Sequence, residues 1–120
     1  MDNRAEQKEA LETLVEFNVR LVKNMKIVVK ELSGKRLDDT NAFLKDILNA
    51  INWEIQVMNG TMELLNEDAQ HIDKEAFNQK IIALGNAVNE KNDEKMAEAF
   101  EDVIPLFEKL GERANDVIGK

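Results

Sequence analysis

Residues 11–32 read LETLVEFNVRLVKNMKIVVKEL, and this stretch decides the fold class. Its apolar side chains recur at gaps that alternate between four and three residues, which places them on one face of a helix. These positions are Leu11, Val15, Val22, Met25, Val29 and Leu32, and only Asn18 interrupts the stripe. Ser33-Gly34 follows, and glycine ends helices because it adopts the left-handed backbone conformation without steric penalty. The pattern predicts a first helix from about Asn3 to Leu32.

The second helix is predicted to follow a short connection. Asp38 or Asp39 can cap it, and it ends near Asn66. Gly60 lies inside this stretch and lowers the stability of the helix by about 1 kcal/mol relative to alanine. Because a close backbone contact would explain such a glycine, we expect another backbone to pass near it. The apolar stripe of this helix consists of Leu44, Leu48, Ile51, Ile55, Met58, Met62 and Leu65.

Two more helical patterns complete the chain. The third helix is the shortest, with Asp73 as its cap and Phe77, Ile81, Leu84 and Val88 as its apolar stripe. Asp93 is predicted to cap the fourth helix, and Pro105 inside that helix predicts a bend because proline removes one backbone hydrogen bond. The stripe of the fourth helix is Met96, Phe100, Val103, Phe107, Leu110, Ala114 and Val117. Short connections make consecutive helices antiparallel, so we predict an all-α, up-down four-helix bundle that forms one domain over residues 1–120.

Composition and charge narrow the classes of function. The 120 residues include no cysteine, which excludes a disulfide framework and thiolate chemistry. The formal net charge of −8 disfavours nucleic acid and anionic lipid as partners. A charged N-terminal segment and the lack of a long apolar run predict a cytoplasmic protein that does not enter the membrane.

No catalytic pattern occurs in the sequence. The single histidine, His71, lies in a connection and lacks the Glu-x-x-His elements of a di-iron bundle. There is also no phosphate-binding glycine loop, no Gly-x-Ser-x-Gly elbow and no HExxH zinc helix. We therefore predict that the protein is not an enzyme and uses no metal or cofactor.

Helices one and two carry more apolar surface than a small bundle needs. Their apolar arcs on a helical wheel cover about 200° and about 220°, whereas about 160° is sufficient. Phe17 and Trp53 extend these arcs, and Ile27 points away from the stripe. Either these two helices are the central pair and bury more surface, or an edge that contains Phe17, Trp53 or Ile27 binds a partner protein or a second copy.

Two polar residues, Asn18 and Glu54, fall within these apolar arcs. If the first two helices form a hairpin about the loop from Gly34 to Asp38, Leu32 is level with Thr40. The same register places Asn18 level with Glu54, so the two polar side chains should meet. Their contact could fix the register of the two helices. Alternatively, the pair could line a polar pocket that binds a small molecule or an ion, or Glu54 could turn outward to solvent.

A resemblance to a known group of proteins is carried by residues 84–107, LGNAVNEKNDEKMAEAFEDVIPLF. This segment resembles the closing hairpin of small uncharacterised helical-bundle proteins of Gram-positive bacteria. The matching features are an aspartate cap after the third helix, here Asp93, and a proline in the last helix, here Ile104-Pro105-Leu106. Asn59-Gly60 is a further match. The resemblance brings no catalytic residue with it.

The size, acidity and helical composition are also similar to those of flagellar and type III export chaperones, a likeness at the level of class. Such chaperones hold helical segments of their clients in grooves, which agrees with the wide apolar arcs. We therefore expect a protein-interaction module, such as an export chaperone or adaptor, that binds a client helix on the apolar edge of helices one and two. The alternatives are a small-molecule or ion-binding bundle that uses Asn18 and Glu54, and a structural homodimer.

Overall fold

The computed structural model describes residues 3–119, and these residues form five helices and no strand. The helices are α1 (Arg4–Leu32), α2 (Thr40–Gly60), α3 (Met62–Leu65), α4 (Lys74–Glu90) and α5 (Asp93–Ile118). Because they hold 83% of the described residues, the all-α prediction is confirmed. The up-down four-helix bundle stays a prediction, since the described chain has a fifth helix, the single turn α3. None of the described helices is long and apolar enough to cross a membrane.

The most extensive helix packing is between α1 and α5, not between α1 and α2. The remaining long helices pack on this pair, α2 against α1 and α4 against α5. The expectation that the first two helices form the central pair is therefore wrong. Because α1 has neighbours on two sides, its wide apolar arc is largely a consequence of packing.

The buried face of α1 includes three of the six predicted stripe positions, Leu11, Met25 and Leu32, and differs at the other three. Leu14, Leu21 and Val28 are buried, whereas the predicted Val15, Val22 and Val29 are only partly buried. At these three places the buried side chain is the one that precedes the predicted position, so the sequence predicts the helix correctly and misplaces one edge of its buried face. On α5, by contrast, all seven predicted stripe positions are buried.

The second helix ends at Gly60 and does not continue to Asn66 as predicted. The Thr61 hydroxyl donates to the Val57 carbonyl at 2.7 Å, and the Thr61 amide donates to the Met58 carbonyl at 3.1 Å. These bonds replace the regular helical pattern, and the chain restarts as α3. A Cβ atom on Gly60 would meet nothing within 4 Å, so the predicted backbone approach is also wrong.

The caps of the helices agree with the prediction in one case and differ in two. Asp73 caps α4, because its carboxylate accepts from the Ala76 amide at 3.1 Å. Asp39 precedes α2, but its side chain makes no capping hydrogen bond. Asn92, not Asp93, caps α5 by accepting from the Lys95 amide at 3.1 Å. Asp93 instead binds Arg36 at 2.8 Å and so joins the start of α5 to the α1–α2 connection.

Helix α5 continues without interruption through Pro105. The predicted bend near that residue stays a prediction. The described molecule measures 48 × 24 × 20 Å. Its long dimension is close to the length of about 43 Å that 29 residues of α-helix span, so α1 sets the length of the molecule.

Candidate functional site

An open groove of about 500 Å³ is lined by residues of α1 and α2, and we call it the α1/α2 groove. Its apolar lining consists of Phe17, Leu21, Phe43, Ile47, Ala50 and Trp53. Its polar lining consists of Arg20, Asn24, Asp46 and Glu54. A mostly apolar cleft with a few polar groups is typical of binding sites, and sites for small ligands measure about 300–1,000 Å³.

Two predicted contact residues, Phe17 and Trp53, lie together in this groove. Their ring centroids are 5.6 Å apart and the ring planes meet at 67°, which is a favoured edge-to-face arrangement. The side chains are nevertheless 48% and 38% exposed. An aromatic pair that remains in contact with water is apolar surface available to a partner.

Ile27, the third predicted contact residue, lies on a different surface. It lines a second groove, between α1 and α5, whose other walls include Val19, Lys26 and Glu108. Lys26 and Glu108 form an ion pair across this groove at 3.4 Å. The structure therefore brings Phe17 and Trp53 together and separates Ile27 from both.

The polar residues Asn18 and Glu54 meet inside the protein. Asn18 Nδ2 donates to Glu54 Oε1 at 2.9 Å and to the Phe107 carbonyl oxygen at 3.1 Å. The two side chains are 6% and 1% exposed, so the alternative in which Glu54 turns to solvent is wrong. One amide thus joins three helices, α1, α2 and α5.

Gly111 on α5 makes room for this contact, and sequence reasoning missed it. A Cβ atom on Gly111 would overlap Asn18 Oδ1 and lie 2.8 Å from Asn18 Cγ. A glycine within an otherwise regular helical pattern was the available signal, because it costs about 1 kcal/mol unless packing requires it. We applied that argument to Gly60, where the structure shows no close contact.

The second carboxyl oxygen of Glu54, Oε2, is buried and has no hydrogen-bond partner within residues 3–119. Burial raises the pKa of Glu54 to about 7, and the hydrogen bond from Asn18 opposes this rise only in part. Near neutral pH, the side chain is therefore a mixture of carboxylate and carboxylic acid. A proton or an incoming hydrogen-bond donor could satisfy Oε2.

Residues 9–113 match a protein family that is described as a domain of unknown function, DUF8042. The chain belongs to the DUF8042 family. A search of curated proteins finds no match to the chain, and a search of solved structures finds none either. The matched range includes every residue that lines the α1/α2 groove, together with Asn18 and Gly111.

The DUF8042 chain also contains a buried arginine that sequence reasoning missed. Arg113 is 6% exposed and donates to the Leu65 carbonyl at 2.7 Å and to Asp68 at 2.9 Å. Asp68 also binds His71 at 2.9 Å, and this bond, with a smaller contribution from Arg113, lowers the pKa of Asp68. Because Arg113 satisfies a carbonyl at the end of α3, we assign it a structural role.

Within residues 3–119, no group of three or more histidine, aspartate or glutamate side chains lies close enough to hold a metal ion. The candidate site is an aromatic groove with one buried carboxyl group, that of Glu54, at its lining.

Proposed function

We propose that this DUF8042 protein is a non-catalytic interaction module that binds an amphipathic helix of a partner protein in the α1/α2 groove. The observation that carries the proposal is the exposed Phe17–Trp53 pair in a mostly apolar cleft. A partner helix with apolar residues at positions i, i+3, i+4 and i+7 can lay that face into a groove between two helices. Aromatic residues are also enriched among those that dominate binding energy at interfaces.

The charge of the molecule favours a particular kind of helix. The formal net charge of −8 attracts basic segments and repels acidic ones. When it is ionised, the carboxyl group of Glu54 adds a negative charge at the groove itself. We therefore propose a partner helix that combines an apolar face with basic residues.

In the cell, such a module would act in the cytoplasm as an export chaperone or adaptor. The cysteine-free composition is compatible with a reducing compartment, and the acidity and size are similar to those of export chaperones. We further propose that α1, α2, α4 and α5 act as the four rods of an up-down bundle, with α3 as a broken extension of α2. The Asn18–Glu54 and Glu31–Thr40 contacts support this, because their positions rise on α1 as they fall on α2.

The experiment is a selection of helical peptides from a displayed library against the purified protein. Trp53 is the only tryptophan in the chain, so its fluorescence reports binding in the groove directly. We expect selected peptides to bind at least tenfold more weakly to Phe17→Ser, with little change for Val19→Ser. Val19 is a matched control because it is 72% exposed on α1 and lines the other groove. Equal losses for the two variants would refute the proposal.

A second candidate function, small-molecule or ion binding, is favoured by the unpartnered Oε2 atom of Glu54. Native mass spectrometry of the protein from its own host distinguishes the candidates. A small ligand would add a defined mass that Glu54→Gln removes. A structural homodimer, the third candidate, would appear as a doubled mass that Phe17→Ser halves.

A further inference from the structure

The α1/α2 groove offers one specific polar contact in addition to its aromatic walls. Glu54 lines the groove and is 1% exposed, and its Oε1 atom already accepts from Asn18 at 2.9 Å. Its Oε2 atom has no hydrogen-bond partner within the described chain. A buried carboxylate with an unused oxygen is costly, so an occupant that donates to this atom would bind better than a purely apolar one.

The side chains around Glu54 suit a cation with an apolar stem. Phe17, Phe43 and Trp53 line the same groove, and aromatic rings attract ammonium and guanidinium groups. A lysine side chain combines four methylene groups with a charged head, so its stem can pack on the rings while its head reaches the carboxylate.

The single unused oxygen favours lysine over arginine. Arginine binds carboxylates best through two parallel hydrogen bonds to both oxygens. Asn18 already donates to Oε1, so an arginine could make both bonds only by sharing that oxygen with Asn18. An ammonium group is a compact point charge and needs only one acceptor in a fixed position.

We propose that the partner helix carries a lysine within its apolar face and that the stem of this lysine packs against Phe17 and Trp53. Its ammonium group binds Glu54 Oε2, a buried atom that the wall of the groove must move to expose. This inference rests on the proposed function, since it names the residue that the groove recognises. It makes Glu54 the determinant of specificity, whereas the aromatic pair supplies affinity.

The charged groups around Glu54 set the expected effect of pH. Arg20 on α1 and Asp46 on α2 are exposed groove residues, and α5 contributes the uncharged Phe107 carbonyl at Asn18. Burial raises the pKa of Glu54 to about 7, and a bound ammonium group favours the carboxylate form. Affinity for a lysine-bearing helix should therefore rise between pH 6 and pH 8, by up to about tenfold from ionisation alone.

The test uses the same displayed library of helical peptides, selected against the wild-type protein at pH 8. We expect enriched peptides to share a lysine between apolar positions. Replacing that lysine by norleucine, which keeps the stem and removes the charge, should weaken binding to the wild type at least tenfold. The same replacement should weaken binding to Glu54→Gln less than threefold. Asp46→Asn is the matched control: it removes a carboxylate from the same groove and should keep the full preference for lysine.

The outcomes separate this inference from the proposed function. If the enriched peptides need Phe17 but carry no lysine, the groove binds helices and the inference is wrong. If the lysine preference survives in Glu54→Gln or is lost in Asp46→Asn, it is also wrong. If no enriched peptide depends on Phe17, the proposed function itself fails. If Glu54→Gln does not fold, binding to the wild-type protein at two pH values decides the question. The lysine peptide should bind more tightly at pH 8 than at pH 6, whereas its norleucine form should not.

Discussion

Glu54 keeps an ionisable group among packed side chains, and this has a consequence for stability. Its pKa in the folded protein is about 7, against 4.5 for the free side chain. Between these values the folded state holds more protons than the unfolded state, so the free energy of unfolding falls as pH rises. The contribution is complete below about pH 4.5 and is lost by the time pH has risen through about 7.

The first prediction follows from this fall in the free energy of unfolding with rising pH. Glu54→Gln keeps the shape and cannot ionise, so its stability relative to wild type should increase by about 2–3 kcal/mol between pH 5 and pH 8. Urea unfolding of both proteins at the two pH values measures the difference. Comparing the variant with wild type cancels the titration of every other group. An equal difference at pH 5 and pH 8 would show that Glu54 titrates like a solvated side chain.

The second prediction concerns the donor, Asn18. Asn18→Leu removes the hydrogen bonds to Glu54 and to the Phe107 carbonyl, and we expect a loss of about 2–4 kcal/mol at pH 8. The loss should be smaller at pH 5, where Glu54 is largely neutral. Replacing both Asn18 and Glu54 by leucine should recover most of it, because no carboxylate then remains buried. Additive losses in the double variant, measured by urea unfolding, would contradict a coupled pair.

At the scale of the helices, two glycines provide the third prediction. Gly111→Ala places a methyl group against the Asn18 side chain, so it should destabilise the protein by about 1–3 kcal/mol despite the better helix propensity of alanine. Gly85, inside α4, has nothing within 4 Å of an added Cβ atom. Gly85→Ala should therefore stabilise by up to about 1 kcal/mol. Thermal unfolding of the two variants should show opposite shifts, and shifts of the same sign would contradict the crowded site at Gly111.

The helices differ in how well the sequence predicts them. The stripe of α5 is predicted correctly in full, because one strongly periodic face packs against the core. One edge of the buried face of α1 is misplaced because it depends on which helices lie on either side, and local spacing does not carry that information. The end of α2 is missed because a side-chain hydrogen bond at Thr61 breaks the helix while the apolar spacing continues to Leu65.

The contacts of the candidate site also differ in how well the sequence predicts them. The Asn18–Glu54 contact follows from the register of one hairpin, since the connection between α1 and α2 fixes which residues are level. Gly111 and Arg113 could not be found in that way. Both lie on α5, more than 70 residues along the chain from α1, and no connection relates their register to Asn18 or Leu65. Contacts within a hairpin are therefore predictable here, whereas contacts between distant helices need the structure.

At the scale of the whole molecule, two aromatic pairs have the same geometry and opposite surroundings. Phe77 and Phe107 meet edge to face at 5.0 Å and 75°, and both are at most 2% exposed. Phe17 and Trp53 meet at 5.6 Å and 67° but remain exposed in the α1/α2 groove. The buried pair joins α4 to α5, and the exposed pair joins α1 to α2. If the proposed function is right, the first pair serves stability and the second serves binding.

The fourth prediction tests that separation with matched substitutions. Phe77→Ala should lower the free energy of unfolding by about 3–5 kcal/mol, because it leaves a cavity in the core. Phe17→Ala should lower it by about 1 kcal/mol or less, since nearly half of the side chain already faces water. Binding of a selected helical peptide should change in the opposite order, with a loss of at least tenfold for Phe17→Ala and little change for folded Phe77→Ala. Urea unfolding and titration of Trp53 fluorescence measure the two effects on the same samples. A large loss of stability in Phe17→Ala without a loss of binding would make Phe17 a core residue, and the binding surface would then have to be sought in the groove between α1 and α5.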